Sequence, residues 1–164
     1  MTTTRACVTA GALALILCLG VACGGAPEGG ANGSGGACGG DGAGELTAFQ
    51  LEHGIGPVTE VVELGPIDPD LAATGEAVFT TKCSACHKLG ERYVGPPLGD
   101  VTTRRSATFI MNMILNPKEM YERHPETKAL LAEYLAFMPD QNATEAEARA
   151  VVEYLRTAAP DGTD

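Results

Sequence analysis

The chain has 164 residues, with 21 Asp and Glu against 11 Lys and Arg, and its formal charge at pH 7 is −10. This length suits one domain with appendages. The acidic balance argues against nucleic-acid binding, which requires a basic face, so we expect no nucleic-acid partner.

Residues 1–22 have the features of a secretory signal peptide. Arg5 precedes a nearly unbroken apolar run of fifteen residues that ends at Ala22, which is short for a membrane span and typical of a signal. The small residues before Cys23 resemble a bacterial lipobox, although Gly20 stands where Leu is usual. We expect lipidation of Cys23, with ordinary cleavage at Ala22 as the alternative. Either outcome predicts export to the periplasm, and a lipid would anchor the protein to a membrane without spanning it.

Residues 23–44 are dominated by Gly and show no apolar periodicity. Such a composition cannot bury enough surface to offset its ordering entropy, which predicts a flexible tether. Cys38 stands alone in it, as a free thiol or a partner for another molecule. Residues 45–67 then carry a small apolar set around Val58 and Leu64.

Cys83-Ser84-Ala85-Cys86-His87 matches the attachment signature of c-type haem. Each thiol adds to one vinyl group of the porphyrin, and the following His lies beneath the iron. Zinc sites and thioredoxin-like centres also use Cys-x-x-Cys. A zinc site needs a second ligand pair at matching spacing, and a thioredoxin-like centre needs a βαβ context, whereas the flanking sequence has helical periodicity. One motif predicts one covalent haem c.

Helical signals stand on both sides of this motif. Asp68-Pro69 can cap and start a helix, in which Gly75 and Phe79 share one face. Thr144 to Glu147 forms a capping box, and the helix behind it has an apolar face. That face comprises Ala148, Val151, Val152 and Leu155.

From about Asp68 to Thr157, these features together resemble a class I cytochrome c. The resemblance implies an all-α domain over residues 68–158, wrapped around one haem, with residues 159–164 as a tail. It also implies that Gly75 and Phe79 pack against the aromatic-Leu pair Tyr154-Leu155 of the last helix. The segment 45–67 is an addition to the minimal family pattern, and it either packs as an arm over the domain or haem edge or continues the tether.

The resemblance also implies the iron's surroundings. Gly95-Pro96-Pro97-Leu98 resembles the family's Gly-Pro-x-Leu, in which the carbonyl of Pro96 accepts a hydrogen bond from His87 and orients it. Met138, next to Pro139 and between two predicted helices, matches the position of the sixth ligand. His87 and Met138 are therefore the expected iron ligands, with Met120 as the rival.

The remaining Met and His residues have other expected roles. Met111 and Met113 lie in a stretch with helical spacing, which favours the core or the wall of the haem pocket. His53 and His124 match no ligand position of the family, and ligation by either would lower the reduction potential relative to a Met ligand. We expect both to be bystanders.

With both axial positions filled, the resemblance implies an electron carrier and not an enzyme by itself. The expected partners are redox proteins, among them a quinol-oxidising membrane complex and a terminal reductase or oxidase, at the outer face of the cytoplasmic membrane. A haem sensor or small haem enzyme with a labile sixth ligand is the alternative, and a permanently docked subunit of a larger oxidoreductase is a third. Five basic residues form either a steering rim near the haem or a solvated face: Lys82, Lys88, Arg92, Arg104 and Arg105.

Overall fold

The structure, a computed structural model, describes residues 44–159. The signal peptide, Cys23, Cys38 and nearly all of the expected tether and tail lie outside the described residues. Within 44–159 every regular element is helical, which confirms the all-α prediction. The helices are α1 (Ala48–His53), α2 (Pro69–Val78) with a π-helical continuation (Phe79–Cys83), α3 (Val101–Arg104), α4 (Ala107–Leu115), α5 (Pro117–Arg123), α6 (Pro125–Tyr134) and α7 (Glu145–Thr157).

The two outer helices of the domain begin where the sequence predicts. The side chain of Asp68 accepts hydrogen bonds from two backbone N–H groups in the first turn of α2, and Pro69 occupies the first helical position. At α7, Thr144 and Glu147 form the reciprocal bonds of a capping box. These bonds satisfy donors that have no partner inside the helix, so both ends are fixed locally.

Helices α2 and α7 cross at Gly75. A Cβ atom on Gly75 would lie 2.5 Å from the carbonyl carbon of Ala150, so only glycine permits this approach. One turn later, the rings of Phe79 and Tyr154 lie 5.3 Å apart. Leu155, next to Tyr154, is 1 % exposed and belongs to the main core. The predicted contact between the first and last helices of the domain is therefore present.

A second contact ties the start of α2 to α7 through a buried carboxylate. Glu153 is fully buried and accepts hydrogen bonds from the backbone N–H of Asp68 at 2.8 Å and from the guanidinium groups of Arg149 and Arg156. Burial by itself raises the pKa of Glu153, but these hydrogen bonds and positive charges outweigh it and hold the pKa below its usual range.

Residues 46–64, here called the N-terminal segment, pack on α4 and α5. The fully buried Asn112 of α4 accepts from the N–H of Val58 and donates to the carbonyls of Val58 and His53. One turn earlier, Thr108 accepts from the N–H of Val62 at 2.8 Å. The segment is thus held by side chains that bond its backbone, and it lies on the domain.

The described residues contain no helix long and apolar enough to cross a membrane.

Candidate functional site

All five residues predicted for the site line one cavity: Cys83, Cys86, His87, Pro96 and Met138. They come from three separate stretches of chain, which the fold brings together. Most of the other lining residues are apolar. These include Phe79, Val94, Leu98, Val101, Phe109, Ile110, Met113, Ile114, Leu130, Ala136, Phe137, Val151 and Leu155.

The two cysteines and the histidine lie on one tight turn that begins at Cys83, the last residue of the π-helix. The N–H of Ser84 donates to the carbonyl of Phe79, and the N–H groups of Cys86 and His87 both donate to the carbonyl of Cys83 at 3.0 and 2.9 Å. Burial raises the pKa of the Cys83 thiol, and the ammonium group of Lys82 only partly opposes this.

The imidazole of His87 has a fixed orientation. Its Nδ1–H donates to the carbonyl of Pro96 at 3.0 Å, which leaves the lone pair of Nε2 available to a metal. The loop that carries Pro96 is held by a 2.9 Å bond from the N–H of Gly95 to the carbonyl of Cys86. A Cβ at Gly95 would lie 2.5 Å from the His87 ring, so glycine permits this close backbone approach.

Met138 is positioned by Tyr121, a residue that the sequence reasoning missed. The backbone N–H of Met138 donates to the hydroxyl oxygen of Tyr121 at 3.1 Å. Tyr121 also lines the cavity, and its ring meets that of Phe137 edge-on at 5.8 Å. Burial raises the pKa of Tyr121, so its hydroxyl stays neutral. No local sequence signal marks this contact, since α5 and the Met138 loop are distant in the chain.

The rival ligands lie elsewhere. Met120 is completely buried, and its Sδ accepts a hydrogen bond from the N–H of Ile55 in the N-terminal segment. His124 is also completely buried, where it accepts from the N–H of Glu126 and bonds the carbonyl of Leu51. None of these side chains, nor His53, lines the cavity. Of the two helical methionines, Met111 lies in the core and Met113 lines the cavity.

The five basic residues near the cavity do not form an uncompensated rim. Lys88 donates to the carbonyl of Ser84 and lies 5.0 Å from the ring centre of Tyr93. The other four pair with carboxylates: Lys82 with Glu147 at 2.9 Å, Arg92 with Glu133 at 3.1 Å, Arg104 with Asp100 at 2.8 Å and Arg105 with Glu126 at 2.7 Å. The hydrogen bond from Arg104 holds the pKa of Asp100 below its usual range.

The donor set and the lining fit an iron porphyrin. Two thiols, an oriented imidazole and a thioether share a cavity whose other walls are mainly apolar, as a flat apolar ring with a central iron requires. The close approach of Gly95 to His87 also suits an imidazole held in a single orientation. Among residues 44–159, no three His, Cys, Asp or Glu side chains cluster in a way that could hold a metal ion by themselves.

The family model described as Cytochrome c matches residues 72–159, which is more than half of the chain. A Synechocystis protein described as cytochrome c-553-like is 33 % identical over 69 residues, which are 39 % of this chain and 66 % of that protein. The chain thus spans about two thirds of the length of this curated relative.

Solved structures of a cytochrome c from Rhodothermus marinus are also similar. One covers 70 % of this chain and 99 % of its own, with 48 % identity and a TM-score of 0.65. An engineered form of that protein, with a bound carbene intermediate, covers 67 % of this chain and 96 % of its own, with 48 % identity and a TM-score of 0.61. The 70 % share exceeds the stretch matched by the family model, so the likeness includes residues outside 72–159.

Proposed function

This chain belongs to the cytochrome c family, whose members carry covalently bound haem c, and we propose that it passes single electrons between respiratory redox partners outside the cytoplasm. Bound haem supplies an iron that cycles between the ferric and ferrous states. The chain's own residues set the conditions for that cycle. Cys83 and Cys86 would hold the porphyrin through thioethers, and His87 and Met138 would bind its iron.

Each of these residues is supported by a distinct contact. The bond from His87 Nδ1–H to Pro96 fixes one ring tautomer and raises the basicity of Nε2 as a ligand. The bond from the Met138 N–H to Tyr121 fixes the backbone of the second ligand. The apolar lining excludes water from the iron, and a dry, apolar site favours the less charged ferrous form.

The observation that carries the proposal is the placement of His87 and Met138 in one cavity, while Met120, His53 and His124 lie outside it. An iron bound by both residues would have no open position for a substrate. Electron transfer therefore fits better than a haem sensor or a small haem enzyme. The carbene bound to the Rhodothermus protein belongs to an engineered form, and it gives no natural substrate to this chain.

Absorption spectroscopy of the ferric holoprotein tests the ligand assignment. We expect a far-red sulfur-to-iron charge-transfer band in the wild type and its loss in Met138→Ala. Met113→Leu is the matched control, because Met113 lines the same cavity and the change keeps its volume; it should retain the band. A high-spin wild-type spectrum would refute the proposal and favour the sensor or enzyme. A band that persists in Met138→Ala would refute Met138 as the ligand, because another methionine would then bind the iron.

We further propose that residues 1–22 direct export, that Cys23 carries a lipid anchor and that residues 23–44 tether the domain to a membrane. The lipobox-like sequence before Cys23 supports this arrangement. Mass spectrometry of the N-terminal peptide from the membrane fraction should show a diacylglyceryl Cys23. Cys23→Ser should release the holoprotein into the periplasmic fraction, and an unlipidated peptide that begins at Cys23 would instead indicate ordinary signal cleavage.

The partners we propose are a quinol-oxidising membrane complex as donor and a terminal reductase or oxidase as acceptor. A mobile carrier should leave detergent-washed membranes as a single chain. Its co-purification with a larger oxidoreductase at fixed stoichiometry would instead support a permanently docked subunit.

A further inference from the structure

Residues 140–144, here called the acceptor sequence, combine an asparagine with the groups that a glycosylating enzyme recognises. Asn142-Ala143-Thr144 has the pattern of an N-linked glycosylation acceptor, in which the middle residue is not proline. Asp140 stands two positions before the asparagine, where bacterial enzymes of this class bind a carboxylate through a charge-assisted hydrogen bond. The sequence therefore carries both parts of a bacterial acceptor signal.

The side-chain amide of Asn142 is available, in contrast to those of the two other asparagines in residues 44–159. The amide of Asn112 donates to two backbone carbonyls, and that of Asn116 donates to a backbone carbonyl and a carboxylate. Among the described residues, Asn142 is exposed and forms its hydrogen bonds with its backbone alone. Its side-chain nitrogen thus has no partner to lose when it is modified.

The backbone of the acceptor sequence holds Asn142 in a tight turn between α6 and α7. Its N–H donates to Oδ1 of Asp140 at 2.7 Å, a local bond that is typical of aspartate in turns. Its φ of 48° lies in the left-handed region, which asparagine tolerates better than most residues. Asn142 does not line the cavity that contains Met138, so a bulky group on its exposed amide leaves that cavity open.

The hydroxyl of Thr144 fixes the stage at which an enzyme can read the signal. In the folded domain it accepts the N–H of Glu147 at 3.2 Å as the N-cap of α7. The carbonyl of Asn142 is also occupied, since it accepts from Lys82 at 3.3 Å. The complete acceptor sequence is therefore open to an enzyme only before α7 forms its cap, while the exported chain has not yet folded around its haem.

We propose that Asn142 is glycosylated after export, by an oligosaccharyltransferase whose donor is an oligosaccharide linked to a polyprenyl diphosphate. Nδ2 of Asn142 forms a bond to the anomeric carbon of the first sugar, and the bond from that carbon to the diphosphate oxygen breaks. The polyprenyl diphosphate leaves with the electron pair of that bond, the amide nitrogen loses one proton to solvent, and nothing is oxidised or reduced. The inference goes beyond electron transfer, and it rests on the proposed export.

Mass spectrometry of the holoprotein purified from its own organism tests the proposal. Trypsin cleaves after Lys128 and Arg149 and releases residues 129–149 as one peptide, in which Asn142 is the single asparagine. We expect this peptide to carry the added mass of an oligosaccharide, with fragment ions that place the sugar on Asn142. Asn142→Gln should lose the added mass completely, because the amide is then one methylene further from the backbone.

Two substitutions of Thr144 separate the signal from the fold. Serine and aspartate are both good N-caps, so both variants should melt near the wild-type temperature, but only serine keeps a hydroxyl. Thr144→Ser should retain the glycan, and Thr144→Asp should lose it. Asp140→Asn tests the carboxylate in the same way, since its side-chain oxygen can still accept the N–H of Asn142; the glycan should be lost.

Asn32 is an internal control for recognition of the carboxylate. Asn32-Gly33-Ser34 is the second acceptor pattern of the chain, but Gly30 stands two positions before its asparagine. Asn32 should therefore be unmodified in the same preparation, and equal glycosylation of Asn32 and Asn142 would overturn the role of Asp140.

Three other results would overturn the proposal. They are an unmodified wild-type peptide, a sugar on the hydroxyl of Thr144 instead of the amide of Asn142, and a glycan that persists in Thr144→Asp or Asp140→Asn. A holoprotein that still carries residues 1–22 would instead contradict the proposed export, so the two failures are distinguishable.

Discussion

Replacement of Gly75 by alanine should destabilise the domain, although alanine is the better helix former. The new Cβ would lie 2.5 Å from the carbonyl carbon of Ala150 and 2.9 Å from the Cβ of Tyr154. Carbon atoms pack comfortably at about 3.5 Å or more, so α2 and α7 must separate by about 1 Å. The obstruction is backbone, which cannot rotate away. The higher helix propensity of alanine stabilises the folded state by about 1 kcal/mol, whereas overpacking at such a contact destabilises it by about 3 kcal/mol.

The net loss of about 2 kcal/mol corresponds to a fall in melting temperature of about 8–16 °C for a domain of this size. Thermal unfolding of the holoprotein, followed by circular dichroism, measures it. Ala73→Gly is the matched control, because Ala73 is exposed in the same helix and its replacement costs only about 1 kcal/mol of propensity. A Gly75→Ala protein that melts at or above the wild-type temperature would refute the close-crossing argument.

Three further changes test other parts of the molecule. Tyr121→Phe removes the acceptor of the Met138 N–H, so it should lower the free energy of unfolding by about 1 kcal/mol. The far-red band should then vanish at a lower temperature than in the wild type, and loss of the band at the same temperature would contradict this role of Tyr121. Asn112→Ala removes three hydrogen bonds to the N-terminal segment and should lower the free energy of unfolding by about 3 kcal/mol. The amide hydrogen of Val58 should exchange faster than in the wild type, and an unchanged exchange rate would show that Asn112 does not hold the segment. The depressed pKa of Glu153 gives stability that is present above its unfolded pKa of about 4.3 and is lost as pH falls through the lower folded value. In Glu153→Gln the melting temperature should therefore fall less steeply between about pH 5 and pH 3 than in the wild type. Equal slopes in the two proteins would refute the role of this carboxylate.

The sequence predicts the parts of this molecule that depend on local or strongly patterned signals. The capping residues Asp68 and Thr144 bond only to their own first turns, so their types and spacing suffice to locate the helices. The crossing at Gly75 follows from the resemblance to the family, which implies a glycine where the first and last helices of the domain approach closely. The physical cause of each cap lies within a few residues of its signal, whereas the partner of Gly75 is the distant backbone of Ala150.

Other features depend on contacts between distant segments of no distinctive type. Nothing in the sequence around Tyr121 in α5 indicates that its hydroxyl accepts a hydrogen bond from the N–H of Met138, which lies 17 positions away. The clustering of Lys82 and Arg92 in sequence likewise indicates positive charge, but Glu147 and Glu133 approach them only after folding and compensate it. The clustering of charged residues along the sequence therefore does not by itself predict the net charge of the folded surface on which they lie.

Helix α4 contacts the N-terminal segment with one face and lines the cavity with another. Thr108 and Asn112, four residues apart on one face, bond the backbone of the N-terminal segment. Ile110 and Ile114 are offset from that pair by about 200° around the helix, and they line the cavity. The bonds to the N-terminal segment and the wall of the cavity therefore come from different faces of α4.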